Sequence, residues 1–220
     1  MYKRQSLDGA YYLALRNYHK GLIERNRLLK QGGSDGELEA FEAELAPCAY
    51  RLQVDRAAGV KALQAVLVGV YQALAEHEEG PVFSYAANVE MENANSYREL
   101  WERQRARDRL IGSTQKGPHR DDFQLGLCLG SAKEYGSDGQ QRGLIVALRV
   151  AQAELFRERL SVAPVLLVDD VLGELDPQRR AGFWKACPST FQVIASGTVF
   201  PEDAESWKRY AVAGGLFQSA

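Results

Sequence analysis

Apolar residues near the amino terminus recur at the spacing of a helix. These residues follow each other at intervals of three, four or seven positions, and they are Tyr11, Leu15, Tyr18, Leu22 and Leu29. Gly32 and Gly33 are predicted to end this helix. Ser34 with Glu37 has the spacing of a capping box, so a second helix is predicted to begin there.

A second apolar seam follows with heptad-like spacing. Its members are Val60, Leu63, Leu67, Val70 and Leu74. Two such seams on either side of the glycine break are compatible with an antiparallel helical arm, and equally with a compact helical bundle. Gly80 and Pro81 are predicted to stop the helix.

Residues 82–85 have the composition of a strand, and Ser96 with Glu99 is predicted to cap a further helix. That helix runs through a basic stretch at residues 98–109, in which acidic residues are interleaved. The mixed charge favours a solvated helix face.

From Gly112 the pattern changes to alternating strands and helices. Strands are predicted at 124–129, 165–168, 191–195 and 210–213, with helices at 140–160 and from Pro177 onward. The run at 165–168 is short and aliphatic and follows Pro164, which suits a strand buried on both faces of a parallel sheet. This half of the chain is therefore predicted to be α/β.

Composition narrows the class of protein only slightly. The chain has 220 residues, 45% of them apolar, and a net charge of −2, so there is no global basic field to attract nucleic acid. Cys48, Cys128 and Cys187 are too few and too far apart for a disulfide framework or a zinc site, which indicates a reducing, cytoplasmic setting. No signal peptide or long apolar span is evident, so membrane insertion is not expected.

Candidate chemistry begins with two acids at the end of the aliphatic strand. Asp169 and Asp170 close residues 165–168, and a further acidic segment follows at 174–176. Open α/β sheets bind ligands at the carboxyl ends of their strands, and Mg²⁺ is held there by one or two carboxylates with phosphate oxygens. This is a Walker B pattern, although ordinary strands also end in acids.

A glycine-rich turn precedes the helix upstream of these acids. Residues 136–142 read Gly-Ser-Asp-Gly-Gln-Gln-Arg. Exposed backbone N–H groups and the Ser137 hydroxyl at a helix amino terminus form a natural phosphate site, and a capped loop is the plainer interpretation. The order of glycine-rich turn, helix, paired acids and acidic segment matches the signature, helix, Walker B and D-loop of ABC-type ATPases.

Taken together, these motifs resemble the RecF family of recombination and repair ATPases, which are related to SMC proteins. The resemblance also covers a polar segment at 117–122 and the opening helix at 13–30, and so runs from about residue 7 to the last strand. It implies a partial P-loop NTPase head of the ABC/SMC type with a mainly helical arm lobe. The expected boundary divides residues 1–111, the arm, from 112–220, the signature and Walker B half of the head.

The resemblance implies roles for individual residues. Asp169 is expected to hold Mg²⁺, and Asp170 to be the general base that activates water. Ser137, Asp138, Gly139 and Gln140 form the signature, which acts in trans on ATP bound to a second protomer. The D-loop is Glu174, Leu175 and Asp176, and Ser196 or Thr198 is the switch residue. The remaining family segment, expected to form a buried hinge network, comprises Gly117, Pro118, His119, Arg120, Asp121 and Asp122.

One family feature is missing from the sequence. No segment reads Gly-x-x-x-x-Gly-Lys-Ser/Thr, since in residues 112–117 the lysine precedes the second glycine. We therefore expect a carboxyl-terminal part of a longer protein that does not hydrolyse ATP alone, with residues 1–5 outside the resemblance. The missing half of the sheet should leave apolar surface exposed.

The intact protein is expected to bind ATP and Mg²⁺, to form an ATP-dependent homodimer, and to act on DNA with RecO and RecR proteins. For the basic stretch at 98–109, the resemblance alone offers a DNA-phosphate contact surface as the alternative to a solvated helix face. Two alternatives are a non-enzymatic interaction module and a fragment of another SMC-like ATPase, such as a RecN-type protein.

Overall fold

A computed structural model describes residues 9–75, 79–128, 130–170, 173, 175–198 and 207–219. The helices are α1 Gly9–Gln31, α2 Asp35–Leu74, α3 Ala94–Ile111, α4 Ala132–Tyr135, α5 Asp138–Leu160 and α6 Pro177–Ala186. The strands are β1 Val82–Ala86, β2 Asp122–Leu127, β3 Gly130–Ser131, β4 Val165–Asp169, β5 Gln192–Ser196, β6 Tyr210–Ala213 and β7 Leu216–Ser219.

Helices α1 and α2 form an antiparallel hairpin, which is the first of the two arrangements that the seams allowed, although α1 packs against the first half of α2 and not against the second seam. Gly32 turns the chain with a positive φ of 74°, a conformation that glycine adopts without steric cost. The Ser34 hydroxyl then accepts from the N–H of Glu37, whose carboxylate accepts from the N–H of Ser34, which confirms the predicted capping box. From there α2 continues unbroken for 40 residues, with Pro47 in its interior.

The third helix begins earlier than its predicted cap. Asn93 is the N-cap, and its side-chain oxygen accepts from the N–H of Ser96, so Ser96 lies inside the first turn of α3. Asn93 and Ser96 are both good capping residues, and the prediction chose the wrong one. Tyr97 and Trp101 of α3 pack fully buried against the α1–α2 hairpin.

A buried ionic network ties these three helices together. Arg25 of α1 pairs with Glu42 of α2 at 3.0 Å and with Asp108 of α3 at 2.8 Å, and it donates to the Thr114 hydroxyl at 2.6 Å. Arg105 of α3 also pairs with Glu42. Since every one of these side chains is at least nine-tenths buried, removal of either partner would leave an uncompensated charge inside the protein.

The second half of α2 supports a separate core. Leu63, Leu67 and Tyr71 pack against Leu144 and Ala147 of α5. A three-stranded antiparallel sheet with the order β1-β2-β3 lies beside them. Strand β2 begins at Asp122, two residues before the predicted start, and position 129 lies outside the described residues.

Strands β4 and β5 pair in parallel and place the candidate Walker B acids at their common carboxyl edge. The expectation that β4 is buried on both faces was wrong for the described structure, because only the face toward α6 is covered. On the other face Leu167 is 75% exposed and its cross-strand partner Ile194 is 54% exposed. The exposed apolar surface expected from a partial sheet is therefore present.

The last described element is a hairpin of β6 and β7 turned by Gly214 and Gly215, both with positive φ. Strand β6 was predicted and β7 was not, because its four residues carry little periodic signal.

Among the described residues, α2 is the one helix whose length and composition would allow it to cross a membrane. This corrects the expectation that the chain has no such span. The helix carries buried Glu42, Asp55 and Arg56, and α1, α3, α5 and α6 all pack against it. These contacts are those of a central helix in a folded core.

Candidate ATPase site

The carboxyl edge of the parallel strand pair brings Asp169, Asp170 and Ser196 together. The Ser196 hydroxyl donates to Asp169 Oδ1 at 2.5 Å, which joins the end of β5 to the end of β4. The N–H of Asp170 lies 3.3 Å from the Ser196 carbonyl oxygen, so the parallel ladder reaches the second acid. The predicted Walker B acids and one of the two predicted switch residues thus form one cluster.

Asp170 has an unusual backbone conformation. Its φ is +51°, in the left-handed region where few residues other than glycine, asparagine and aspartate are found. The carbonyl oxygen of Asp170 accepts from the N–H of Gly173 at 3.1 Å. Asp169 and Asp170 are both exposed at the sheet edge.

This donor set fits a magnesium ion held jointly with phosphate. No cluster of three histidine, cysteine, aspartate or glutamate side chains is found in the part of the chain that the structure describes. A closed protein cage is therefore not available there. Mg²⁺ commonly uses one or two carboxylates together with phosphate oxygens and water, and exposed Asp169 offers such a ligand beside the Ser196 hydroxyl.

Thr198, the other switch candidate, is exposed just beyond β5.

The candidate signature lies at the amino terminus of α5. Ser137 is the N-cap, and its hydroxyl accepts from the N–H of Gln140, while the Gln140 side chain accepts from the N–H of Ser137. Ser137 and Gln140 therefore form a capping box at this helix end. Asp138 occupies the first turn, and Ser137 and Asp138 are exposed. A phosphate can thus approach the helix end, where the helix dipole favours negative charge.

The D-loop residues lead from the Walker B turn into α6. Leu175 is buried against Leu74, Val146 and Phe183, and Asp176 is the N-cap of α6, accepting from the N–H of Arg179 at 2.8 Å. This is the helix start predicted from Asp176 and Pro177. Glu174 lies outside the described residues.

An ion-pair network connects the D-loop with the signature helix, and the sequence analysis missed it. Arg179 pairs with Asp176 at 2.8 Å and with Glu79 at 3.0 Å, and Tyr71 donates to the Glu79 carboxylate. A Cβ at Gly139 would lie 3.5 Å from the Arg179 guanidinium, so the signature is adjacent. Glu79 and Arg179 are 100 residues apart, and no local pattern signals such a contact.

Burial and hydrogen bonding oppose each other at Glu79. Burial raises the pKa of its carboxyl, but hydrogen bonds from Tyr71 and Gln140 and the Arg179 charge outweigh it, so the pKa is lowered. The pKa of Asp176 is also lowered, since bonds from Arg179 outweigh the effect of burial. The network therefore stabilises the fold above the ordinary pKa of these carboxyls and weakens in acid.

Part of the segment 117–122 belongs to a buried network, and its expected role as a hinge remains a prediction. Asp121 accepts from Arg56 of α2 at 2.6 Å, from Tyr85 of β1 and from the N–H of Asn88 at 2.9 Å. Pro118 is buried, and its carbonyl oxygen accepts from Arg56 at 2.6 Å. These contacts attach the start of β2 to the helical hairpin.

Gly117 and His119 contact the first helix. At Gly117, φ is +138° and a Cβ would lie 2.8 Å from the Tyr18 hydroxyl, so this site admits only glycine. His119 Nδ1 lies 2.8 Å from the same hydroxyl, and Nε2 lies 2.9 Å from the Thr114 carbonyl oxygen. Burial lowers the pKa of His119. Arg120 and Asp122 of the same segment are exposed.

The basic stretch of α3 is mostly engaged within the protein. Arg105 is buried against Glu42, Arg109 pairs with Asp35 at 2.6 Å, and Arg98 lies 3.6 Å from Glu39. Arg103 and Arg107 are exposed, with Glu99 and Glu102 on the same helix. Neither predicted alternative describes the whole stretch, because Arg105 has a structural role.

Known proteins resemble this chain over most of its length. No protein-family model matches the chain. The DNA replication and repair protein RecF of Chloroflexus aurantiacus is 36% identical over 190 residues, which are 80% of this chain and 48% of that protein. RecF of Geobacter metallireducens is 36% identical over 181 residues, 79% of this chain and 49% of that protein.

Two solved structures match the fold of nearly the whole chain. A structure of the recombination mediator protein RecF with ATP matches 99% of this chain and 60% of its own, with a TM-score of 0.80 and 24% identity. A second RecF structure of the RecFOR pathway matches equally widely, with a TM-score of 0.78 and 27% identity.

The chain belongs to the RecF family. It spans about half the length of the curated relatives it matches. Its fold is that of a partial ABC/SMC-type head with a helical arm, as expected. Two features of this chain offer the geometry of a functional site. They are the cluster of Asp169, Asp170 and Ser196 and the capped amino terminus of α5.

Proposed function

We propose that this chain carries the signature and Walker B part of a RecF-type ATPase that acts on DNA at gaps or arrested replication forks. The observation that carries the proposal is the cluster at the carboxyl edge of β4 and β5, where Asp169, Asp170 and Ser196 meet. In the proposed intact protein, ATP lies between two protomers. A magnesium ion held by Asp169 supplies charge neutralisation for the phosphates.

The residues of this chain then have distinct tasks. Asp170 orients and deprotonates the attacking water, while Ser196 or Thr198 donates to the terminal phosphate. Ser137, Asp138, Gly139 and Gln140 receive the phosphate of ATP held by the second protomer, so ATP joins the two protomers. The D-loop residues 174–176 follow Asp170 along the chain and precede Ser196.

The cellular role extends this proposal. The intact protein works in the cytoplasm, binds single-stranded or gapped DNA, and cooperates with RecO and RecR proteins to place recombinase. Support comes from relatives named for DNA replication and repair, and from solved structures of the RecFOR pathway.

A hybrid protein tests the ATPase assignment. This chain replaces the matched region of RecF from Chloroflexus aurantiacus, which covers 80% of the present chain. We expect Mg²⁺-dependent ATP turnover, and at least about a hundredfold loss on Asp170→Asn because the general base is removed. Glu90→Gln also converts a carboxylate into an amide, at an exposed residue outside every candidate motif, and should leave turnover intact.

Two results would contradict the proposal. One is a folded, active hybrid in which Asp170→Asn has no effect. The other is Mg²⁺-dependent turnover by the purified 220-residue chain alone that Asp170→Asn abolishes, since its sequence contains no Gly-x-x-x-x-Gly-Lys-Ser/Thr segment.

A further inference from the structure

The outward face of α1 is basic, although the chain as a whole has a net charge of −2. Its exposed cations are Arg16, Lys20, Arg27 and Lys30. Glu24 is the sole acid between residues 9 and 31. A row of cations along one helix is the electrostatic footprint of a nucleic-acid surface.

These four cations lie on one side of the helix. The buried stripe of Tyr11, Tyr18, Leu22 and Leu29 occupies the opposite side, against α2. Arg16 and Lys20 are four residues apart, so they follow each other by about 6 Å along the helix axis. A duplex carries a phosphate charge for about every 1.7 Å of its axis, so neighbouring cations on the helix each find a phosphate within reach.

Most of these charges have no partner to neutralise them. Within the described residues, Arg27 has a close ion pair with Glu24 at 2.9 Å, and both side chains are well exposed. Arg16 and Lys20 have no ion pair in that part of the chain. Glu44 of α2 lines the same surface groove as Lys20 and Glu24, so the acidic groups lie along one edge of the row.

Apolar side chains are interleaved with the cations. Tyr12 is 46% exposed and Ile23 is 52% exposed, and Leu13 lies beside Tyr12. A membrane-surface helix needs a continuous apolar face, and in α1 that face is buried in the core. An exposed face with spaced cations and single apolar residues is better suited to a DNA backbone.

Helix α3 offers the contrast within the same protein. Arg103 and Arg107 are also exposed and four residues apart, but Glu99 and Glu102 precede them and the other arginines of this helix are paired internally. The favourable surface therefore lies on α1, and not on the basic stretch that the sequence suggested.

We propose that the outer face of α1 binds the phosphate backbone of duplex DNA, with Arg16 and Lys20 at its centre. The inference rests on the proposed function in its choice of DNA as partner, but it names a surface remote in sequence from the Walker B, signature and D-loop residues.

Fluorescence anisotropy with a labelled 30-base-pair duplex tests this surface on the full 220-residue chain. We expect Arg16→Gln with Lys20→Gln to weaken binding on the order of tenfold at low salt. The same pair should reduce the slope of log affinity against log salt by about 1.8, as two phosphate contacts are lost. The charge-retaining pair Arg16→Lys with Lys20→Arg should restore both values.

Arg103→Gln with Arg107→Gln is the matched control, because it removes the same charge at the same spacing from α3. Equal losses from the two pairs would show a general charge effect and overturn the proposal. Absence of duplex binding by the unaltered chain, or binding to anionic phospholipid vesicles in its place, would overturn it as well. None of these results bears on the hybrid ATPase, whose turnover is measured separately.

Discussion

His119 has hydrogen-bonding partners at both ring nitrogens, and in the neutral ring these partners fix its tautomer. Nε2 faces the Thr114 carbonyl oxygen, which can only accept, so Nε2 carries the proton. Nδ1 of the neutral ring then accepts from the Tyr18 hydroxyl. A second proton, on Nδ1, would require this hydroxyl to turn and accept, and burial disfavours the charged ring, which lowers the pKa of His119. These contacts give His119 a positioning role between α1 and the segment 117–122.

The stability of the protein should therefore decline as His119 gains a proton. Burial lowers its pKa below the ordinary 6.5, so the unfolded chain binds the proton first as pH falls. The free energy of unfolding contributed by this residue is complete above pH 6.5 and decreases below it, by at most about 1.4 kcal/mol per pH unit. Urea unfolding between pH 7.5 and 5.5 measures this decline.

His119→Gln should remove that part of the decline, whereas His19→Gln on the exposed side of α1 should keep it, because His119 is intact. An equal decline in the unaltered chain and in His119→Gln would exclude His119 as its source.

Residue contacts also mark the limit of what the sequence could predict. The capping box at Ser34 and the helix start at Pro177 were predictable because a cap acts on residues two or three positions away. The network of Arg179, Glu79 and Tyr71 depends on the packing of α6 against α2, which no short-range pattern encodes. The buried pairing of Arg105 was hidden for the same reason, because its partner Glu42 is 63 residues away in the sequence.

At the scale of elements, α6 approaches α2 so closely that Gly182 has no room for a side chain. A Cβ there would lie 2.8 Å from Leu74 Cα and nearer still to the Leu74 carbonyl oxygen. Backbone atoms cannot move aside as a flexible side chain does. Gly182 therefore sets the distance between α6 and α2.

Gly182→Ala should destabilise the protein by about 1–3 kcal/mol, because the added methyl group forces the two helices apart. Gly69→Ala is the matched control within α2, where a Cβ meets nothing within 4 Å. It should stabilise the fold by about 0.5–1 kcal/mol through its better helix propensity. Urea unfolding compares the two variants, and equal effects of the same sign would show that the close approach does not constrain α6.

The exposure of β4 shows why burial was harder to predict than strand position. The aliphatic run at 165–168 correctly predicted a strand, since periodicity is a local property. Its outer face is exposed because burial of that face depends on a neighbour that the described residues do not supply. The predicted boundary at residue 111 remains untested, although β1 pairs with β2 across it.

At the scale of the whole molecule, the outer face of β4 and β5 is an exposed apolar surface. Leu167 and Ile194 are cross-strand partners on this face, and Val165 continues it. Contiguous exposed apolar side chains promote association and bind hydrophobic dyes.

Leu167→Lys with Ile194→Lys should reduce dye fluorescence and concentration-dependent association. The control pair Leu110→Lys with Ile111→Lys adds the same charge at the end of α3, where Leu110 is 90% exposed beside arginines. Light scattering and dye titration compare the two double variants. A greater effect of the control pair would locate the surface that associates and binds dye on α3.

Helix α2 takes part in the cores at both ends of the molecule, and its 40 residues extend about 60 Å. Its first half is fixed to α1 and α3 by buried ion pairs, and its last turns hold α5 and α6. The contacts at its two ends therefore restrain the bending of α2. A tilt of about 5° at the end of a 60 Å rod that contacts α5 and α6 displaces the opposite end by about 5 Å. Any movement of α5 and α6 as one body with α2 would therefore be magnified at the far tip of the α1–α2 hairpin.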